Sequence, residues 1–198
     1  AEFGATLVGG DLSAARGPIV ISINALGKMQ ANRVMWRNKA EIGDAVLVSG
    51  SLGSAAGGLH LLEKGLRKPR QLIKRQLRPR PQIALGQMLV RNSGVHACVD
   101  ISDGLMQDAQ HLLARNQDIH WFAERIPMDK SLIQCFGAEE ALKMALGGGE
   151  DFELLLACAP TIVSKVVARA KAKEIELSVI GEVIGKGKRT RKKKIIAG

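Results

Sequence analysis

Three short acidic stretches combine carboxylates with glycine: Gly9-Gly10-Asp11, Asp100-Ile101-Ser102-Asp103-Gly104 and Gly147-Gly148-Gly149-Glu150-Asp151. Each lies beside an apolar run that reads as a strand, so each could meet a hard cation or a phosphate at a strand end. Magnesium prefers oxygen ligands, keeps several waters and is commonly held by one or two carboxylates together with substrate phosphates. Asp100 and Asp103 flank the hydroxyl of Ser102 at an expected helix start, where free backbone N–H groups also favour an anion. The same residues have a plainer reading. Ser102 or Asp103 caps the helix, Asp11 ends a turn, and Glu150 and Asp151 form an acidic turn before a strand. Spacing leaves both readings open. Arg37 falls on an expected loop, where a guanidinium suits phosphate, although an isolated surface arginine is commonly just solvated.

Other chemistries find less support. The glycine-rich stretch at 49–58 lacks the Lys-Ser/Thr ending of a P-loop, as does Gly185-Lys186-Gly187-Lys188, and close strand-helix packing is its expected role. His60, His96, His111 and His120 show no ligand spacing and are expected to be structural. No Ser-His-Asp set can be argued from order alone. Cys98, Cys135 and Cys158 are odd in number, far apart and without a Cys-x-x-Cys pair, which argues against a disulfide framework or a zinc site and for a reduced, cytoplasmic compartment.

The elements that must position these residues alternate without a regular βαβ beat. Strands are expected at 5–8, 19–26, 45–48, 95–101, 152–158 and 177–183. Helices are expected from the glycine loop to about residue 63, then at 82–92, from Ser102 to about Asn116, at 138–145 and at 162–172. Residues 118–128 suggest strand and turn. Residues 67–81 carry three prolines among many bases and read as an exposed connection. The fold class is α+β, a mixed sheet with packed helices.

The chain has 198 residues and a formal net charge of +10. Residues 64–80 hold eight basic side chains and residues 186–194 hold seven; removing those fifteen from 29 leaves 14 against 19 acidic residues, so the rest of the chain is mildly acidic. With six aromatics and no Tyr there are few platforms for stacking bases, and a nucleic-acid partner is not expected. The uncharged stretch at 45–62 contains four Gly, three Ser and His60, so it reads as strand, loop and helix rather than a membrane span. The N-terminus shows no signal-peptide pattern and no initiator Met, and its first residues enter as if in mid-element, so upstream sequence is expected.

Six motifs in order give the chain a resemblance to thiamine-monophosphate kinase, within the superfamily that includes aminoimidazole ribonucleotide synthetase. They are Leu7-Val8-Gly9-Gly10-Asp11, Arg37-Asn38-Lys39-Ala40-Glu41-Ile42-Gly43-Asp44, Gly53-Ser54-Ala55-Ala56-Gly57, Leu77-Arg78-Pro79-Arg80-Pro81, Asp100-Ile101-Ser102-Asp103-Gly104-Leu105 and Gly148-Gly149-Glu150-Asp151-Phe152-Glu153-Leu154. The resemblance implies transfer of the ATP γ-phosphoryl group to thiamine monophosphate, with Mg2+ required. It implies metal ligands at Asp11, Asp100 and Asp103, ATP contacts at Gly10, Asp11, Arg37 and Ser102, and a substrate contact at Glu150. It further implies a remnant of an N-terminal ATP- and metal-binding domain over 1–39, contributing that domain's last strands, a C-terminal α+β domain over 40–184 and a basic tail over 185–198. A homodimer is implied for the full-length form. Leu12 stands where the family usually has Thr or Ser, and Phe152 where it commonly has Tyr. The family's N-terminal acidic motifs and C-terminal aromatic segment have no counterpart here, so the chain alone is expected to be inactive or nearly so. Two alternatives stay open: another ATP-using enzyme of the superfamily, or a catalytically dead binding fragment.

Overall fold

The computed structural model describes residues 3–14, 16–30 and 34–187. By internal packing the chain divides into two units, Ala1–Val34 and Met35–Gly198. The described residues of the first unit form no helix or strand, and Leu7, Val8, Ile19, Val20, Ile21, Ile23 and Leu26 are all exposed. The strands expected at 5–8 and 19–26 are therefore not present. β-branched residues favour extended backbone, but a strand also needs a ladder partner, and no described residue of this unit supplies one. Most of the expected basic tail, from residue 188, lies outside the described residues.

The second unit is built on a sheet of five strands: β1 (Ala45–Ser49), β2 (Val95–Asp100), β3 (Gln117–Trp121), β4 (Leu154–Cys158) and β5 (Leu177–Gly185), in the order β2-β4-β1-β5-β3. All four ladders are antiparallel, with Leu47 opposite Leu156 and Val179, Cys98 opposite Leu156, and Ile119 opposite Val183. The α+β class holds, and parallel pairing is confined to two isolated bridges, Trp36 with Ala97 and Leu52 with Met128.

Alternation along the strands gives the sheet two buried faces. Val46, Val48, Val99, Leu155, Ala157 and Ile180 face one core, which is covered by Leu105, Ala109, Leu112 and Ala145. Those covering residues come from the short helix α4 (Leu105–Asp108), the 3-10 turn Ala109–Leu112 that continues it, and α6 (Ala138–Gly147). The helix expected to run from Ser102 to Asn116 is thus only these two short pieces. Leu47, Cys98, Leu156 and Cys158 face the other core, against Leu85, Met88 and Leu89 of α3 (Ile83–Leu89) and Val166 and Ala170 of α7 (Val163–Lys171).

A third cluster joins α1 (Ser54–Glu63), α2 (Arg70–Leu77), α5 (Lys130–Phe136) and α6 through Leu61, Leu72, Leu132 and Ala141. Helix α2 occupies much of the stretch expected to be an exposed connection. It packs directly on α1, because a Cβ at Gly58 would collide with the carbonyl of Leu72. The glycines of α1 therefore serve helix-helix approach, where strand-helix packing was expected.

Candidate functional site

The antiparallel order brings three loops to one end of the sheet. β1 leaves through Gly50–Gly53, β2 leaves through Ile101–Gly104, and β4 is entered through Gly147–Glu153. The second and third loops are stitched together by backbone. Ile101 N–H donates to the Glu153 carbonyl at 2.8 Å, Phe152 N–H to the Ile101 carbonyl at 2.9 Å and Glu150 N–H to the Ser102 carbonyl at 2.9 Å. Glycine permits this closeness. A Cβ at Gly149 would strike the Ser102 carbonyl oxygen, and one at Gly104 would lie 2.9 Å from the Gly147 carbonyl oxygen. Glu150 and Phe152 hold φ of 69° and 50°, a strained backbone for residues with side chains, and such strain concentrates at functional loops.

Within these loops the acidic residues divide into two sets. Asp100, Asp103 and Glu150 are exposed. The only described side-chain partner of this set is Gln107, whose Nε2 donates to Asp103 Oδ2 at 3.3 Å. Asp108, Asp151 and Glu153 are buried and point inward. Asp108 Oδ2 accepts the N–H groups of Ser102, Asp103 and Gly104 at 2.9, 2.9 and 3.1 Å. Three N–H groups expected to be free for an anion at this helix start are thus already taken. Asp151 accepts from Gly53 N–H at 2.6 Å and Ala55 N–H at 3.1 Å, satisfying the start of α1, whose own N-cap Gly53 has no side chain. Burial pushes the Asp151 carboxyl up from 3.8 to about 6, although these two hydrogen bonds favour its charged form. Glu153 accepts from Ser49 Oγ at 2.5 Å and pairs with Arg75 Nη2 at 2.5 Å, which latches α2 to the loops.

The sequence reading did not single out Asp108, Glu153, Arg75 or Ser49. Asp108 had one usable signal: it lies four residues after a glycine that opens a helix and so can reach back to that glycine's N–H.

The expected site residues fall into three places. Asp100, Ser102, Asp103 and Glu150 share the three-loop end. Arg37 is exposed and follows Trp36, whose carbonyl accepts Cys98 N–H at 3.0 Å, so Arg37 rides the outer edge of the strand that ends in Asp100. Gly10 and Asp11 belong to the first unit, where both are exposed and Ser13 Oγ donates to Asp11 Oδ2 at 3.1 Å.

A cavity of about 490 Å3 opens beside Asp100, lined mainly by apolar groups that include Pro79, Pro81, Ile83, Phe152 and Leu154. Its size and lining, mainly apolar with the polar side chains of Gln82 and Asp100, are those of a small-molecule site. Cys98 also lines it, and burial together with the Asp100 charge pushes that thiol up to about 12, which favours the protonated form. The histidines have other work. His96 Nδ1 lies 2.9 Å from each oxygen of buried Asp44, and His60 stacks edge-on against Phe136. Among the described residues no group of three or more His, Cys, Asp or Glu is placed to hold a metal. Two exposed carboxylates at one strand end, Asp100 and Asp103, still fit a cation that takes one or two protein ligands and fills the rest with phosphate and water. Among the described residues no helix is long and apolar enough to cross a membrane.

The family model for AIR synthase related protein, C-terminal domain, matches residues 41–194. The thiamine-monophosphate kinase of Haemophilus influenzae is 34% identical over 189 residues, covering 92% of this chain and 56% of that protein. The crystal structure of the thiamine-monophosphate kinase from Stenotrophomonas maltophilia K279a superposes with a TM-score of 0.72 at 34% identity, covering 77% of this chain and 51% of that one. The structure of AaThiL complexed with AMPPCP and TMP superposes with a TM-score of 0.63 at 30% identity, covering 80% and 52%. The chain spans about half the length of the curated relatives it matches.

Proposed function

The chain belongs to the AIR synthase related family through its C-terminal domain, and from that premise we propose that it supplies the sheet-end half of a thiamine-monophosphate kinase site. The reaction is transfer of the γ-phosphoryl group of ATP to the phosphate of thiamine monophosphate, giving thiamine diphosphate and ADP. The observation that carries this reading is the sorting of carboxylates at the three-loop end. Buried acids lock the loops, while Asp100, Asp103 and Glu150 stay exposed, and Asp100 lines a cavity of about 490 Å3.

Asp100 and Asp103 are the ligands that the second unit offers to Mg2+, and Asp11 is the ligand that the first unit offers. When bound, the cation neutralises the phosphate charge. Ser102, Arg37, Gly10 and Asp11 contact the nucleotide, and Glu150 contacts the thiamine substrate. The acceptor is a phosphate and already ionised near neutral pH, so the protein needs to position and neutralise rather than supply a general base. The domain boundaries follow the resemblance: a remnant over 1–39, the α+β domain over 40–184 and the tail over 185–198. The full-length protein is a cytoplasmic homodimer, and the isolated chain binds its ligands with little or no turnover.

The test is calorimetric titration of the chain with ATP and with thiamine monophosphate, each with Mg2+ and with EDTA, alongside an assay for thiamine diphosphate in a version extended with its upstream sequence. Mg2+-dependent ATP binding by the chain and product from the longer version are expected. Failure of the longer version to form thiamine diphosphate would sink the kinase reading.

A further inference from the structure

Three successive backbone N–H groups converging on one oxygen form a concave anion cradle, the arrangement many proteins use to hold a phosphate. At Ser102, Asp103 and Gly104 that cradle is filled from within, by Asp108 Oδ2. The bonds are charge-assisted, and the carboxylate is tethered and buried, so a phosphate arriving from water meets a competitor that has no entropy of binding left to lose. Asp108 also closes the loop from the other side, since its own N–H donates to the Gly104 carbonyl at 2.9 Å. We propose that Asp108 is a positioning residue that closes this cradle to phosphate, so that a polyphosphate is held here through the cation on Asp100 and Asp103 and not through backbone N–H groups.

Two consequences follow from the geometry. With their N–H groups turned inward to Asp108, Ser102 and Asp103 keep one backbone conformation, and Asp103 remains at the surface with a free carboxylate oxygen. The binding of polyphosphate at this loop then depends on the cation, because Asp100, Asp103 and Glu150 repel a bare anion and the N–H groups of Ser102, Asp103 and Gly104 are held by Asp108. The inference rests on the kinase reading for its ligand but has an independent readout.

The experiment measures binding of inorganic pyrophosphate and of ATP, in Mg2+ and in EDTA, to the whole chain and to Asp108→Asn and Asp108→Ala. Wild type is expected to bind only with Mg2+. Asp108→Ala, which frees the cradle, is expected to bind pyrophosphate in EDTA at least about tenfold above the limit at which wild type shows no binding, and to lose about tenfold in the Mg2+-dependent mode, the scale of one or two hydrogen bonds to a charged group. Should Asp108→Ala fail to fold, Asp108→Asn keeps the shape and one acceptor while removing the charge, and the same shift is expected at smaller size. A helix cap with no further role would lower the melting temperature and leave the Mg2+-to-EDTA ratio unchanged; that outcome overturns the proposal. Pyrophosphate binding by wild type in EDTA as tight as in Mg2+ overturns it too. If wild type binds no ATP under either condition, the kinase reading falls, while the gain of pyrophosphate binding in the variants still decides the role of Asp108.

Discussion

The acidic stretch at Gly9-Gly10-Asp11 and the one at Asp100-Gly104 read alike as sequence and differ in the fold. Around Asp11 the described residues are exposed, and the only side-chain bond is the local one from Ser13. Around Asp100 every polar backbone group from Ile101 to Gly104 that meets the neighbouring loop or Asp108 is spoken for. The two glycine-acid motifs thus carry the same residue types, but among the described residues only the second is set in a loop that a surrounding structure holds. The difference lies in the buried acids, since Asp108, Asp151 and Glu153 have no equivalent beside Asp11.

Placing the same kind of substitution in both regions breaks or sharpens this contrast. Gly149→Ala drives a methyl into the Ser102 carbonyl and is expected to destabilise the fold by about 3 kcal/mol or to part the two loops. Gly10→Ala meets no atom within 4 Å and is expected to change stability by less than about 0.5 kcal/mol. Urea denaturation of the two variants measures both. Equal effects would remove the claim that one motif is held and the other not.

Arg75→Ala leaves the buried Glu153 carboxylate with Ser49 Oγ as its remaining side-chain partner and is expected to cost about 2 kcal/mol, whereas Arg67→Ala on the exposed surface should cost under about 0.5 kcal/mol. Thermal unfolding compares them.

A smaller effect is expected in the pH dependence. Asp151 has its carboxyl raised from 3.8 to about 6 by burial, so the folded chain holds that proton more tightly than the unfolded one. Its stabilising contribution is fully present below about pH 3.8 and is lost as the pH rises through about 6. Asp151→Asn does not titrate and keeps one acceptor oxygen where the carboxylate offers two, so it carries a constant stability offset from the lost Gly53 or Ala55 hydrogen bond but no pH dependence of its own. Urea midpoints measured from about pH 4 to about pH 7 should fall for wild type relative to this variant. Parallel curves would mean that Asp151 is not desolvated as its burial indicates.

Much of the sheet was legible, because strands such as Ala45–Ser49 and Leu154–Cys158 are apolar runs long enough to be buried on both faces. The exposed acids of the site were legible as residue types beside glycine. Helix α2 was not, since the prolines that flank it and the bases within it obscure Leu72, and its burial depends on Gly57 and Gly58 of another helix. The inward acids were hidden for a related reason. Whether a carboxylate faces solvent or its own backbone is decided by the loop it closes, and Asp103 and Asp108 look the same in a string of letters. The strands expected at 5–8 and 19–26 show the reverse error, in which local β preference was read without a partner to pair with.

The most direct test of the account is Mg2+-dependent ATP binding by the chain carrying Asp100→Asn and Asp103→Asn together, measured calorimetrically with circular dichroism as the check on folding. The account predicts that the double variant folds like wild type and loses Mg2+-dependent binding. A folded double variant that binds Mg2+-ATP as tightly as wild type would contradict it.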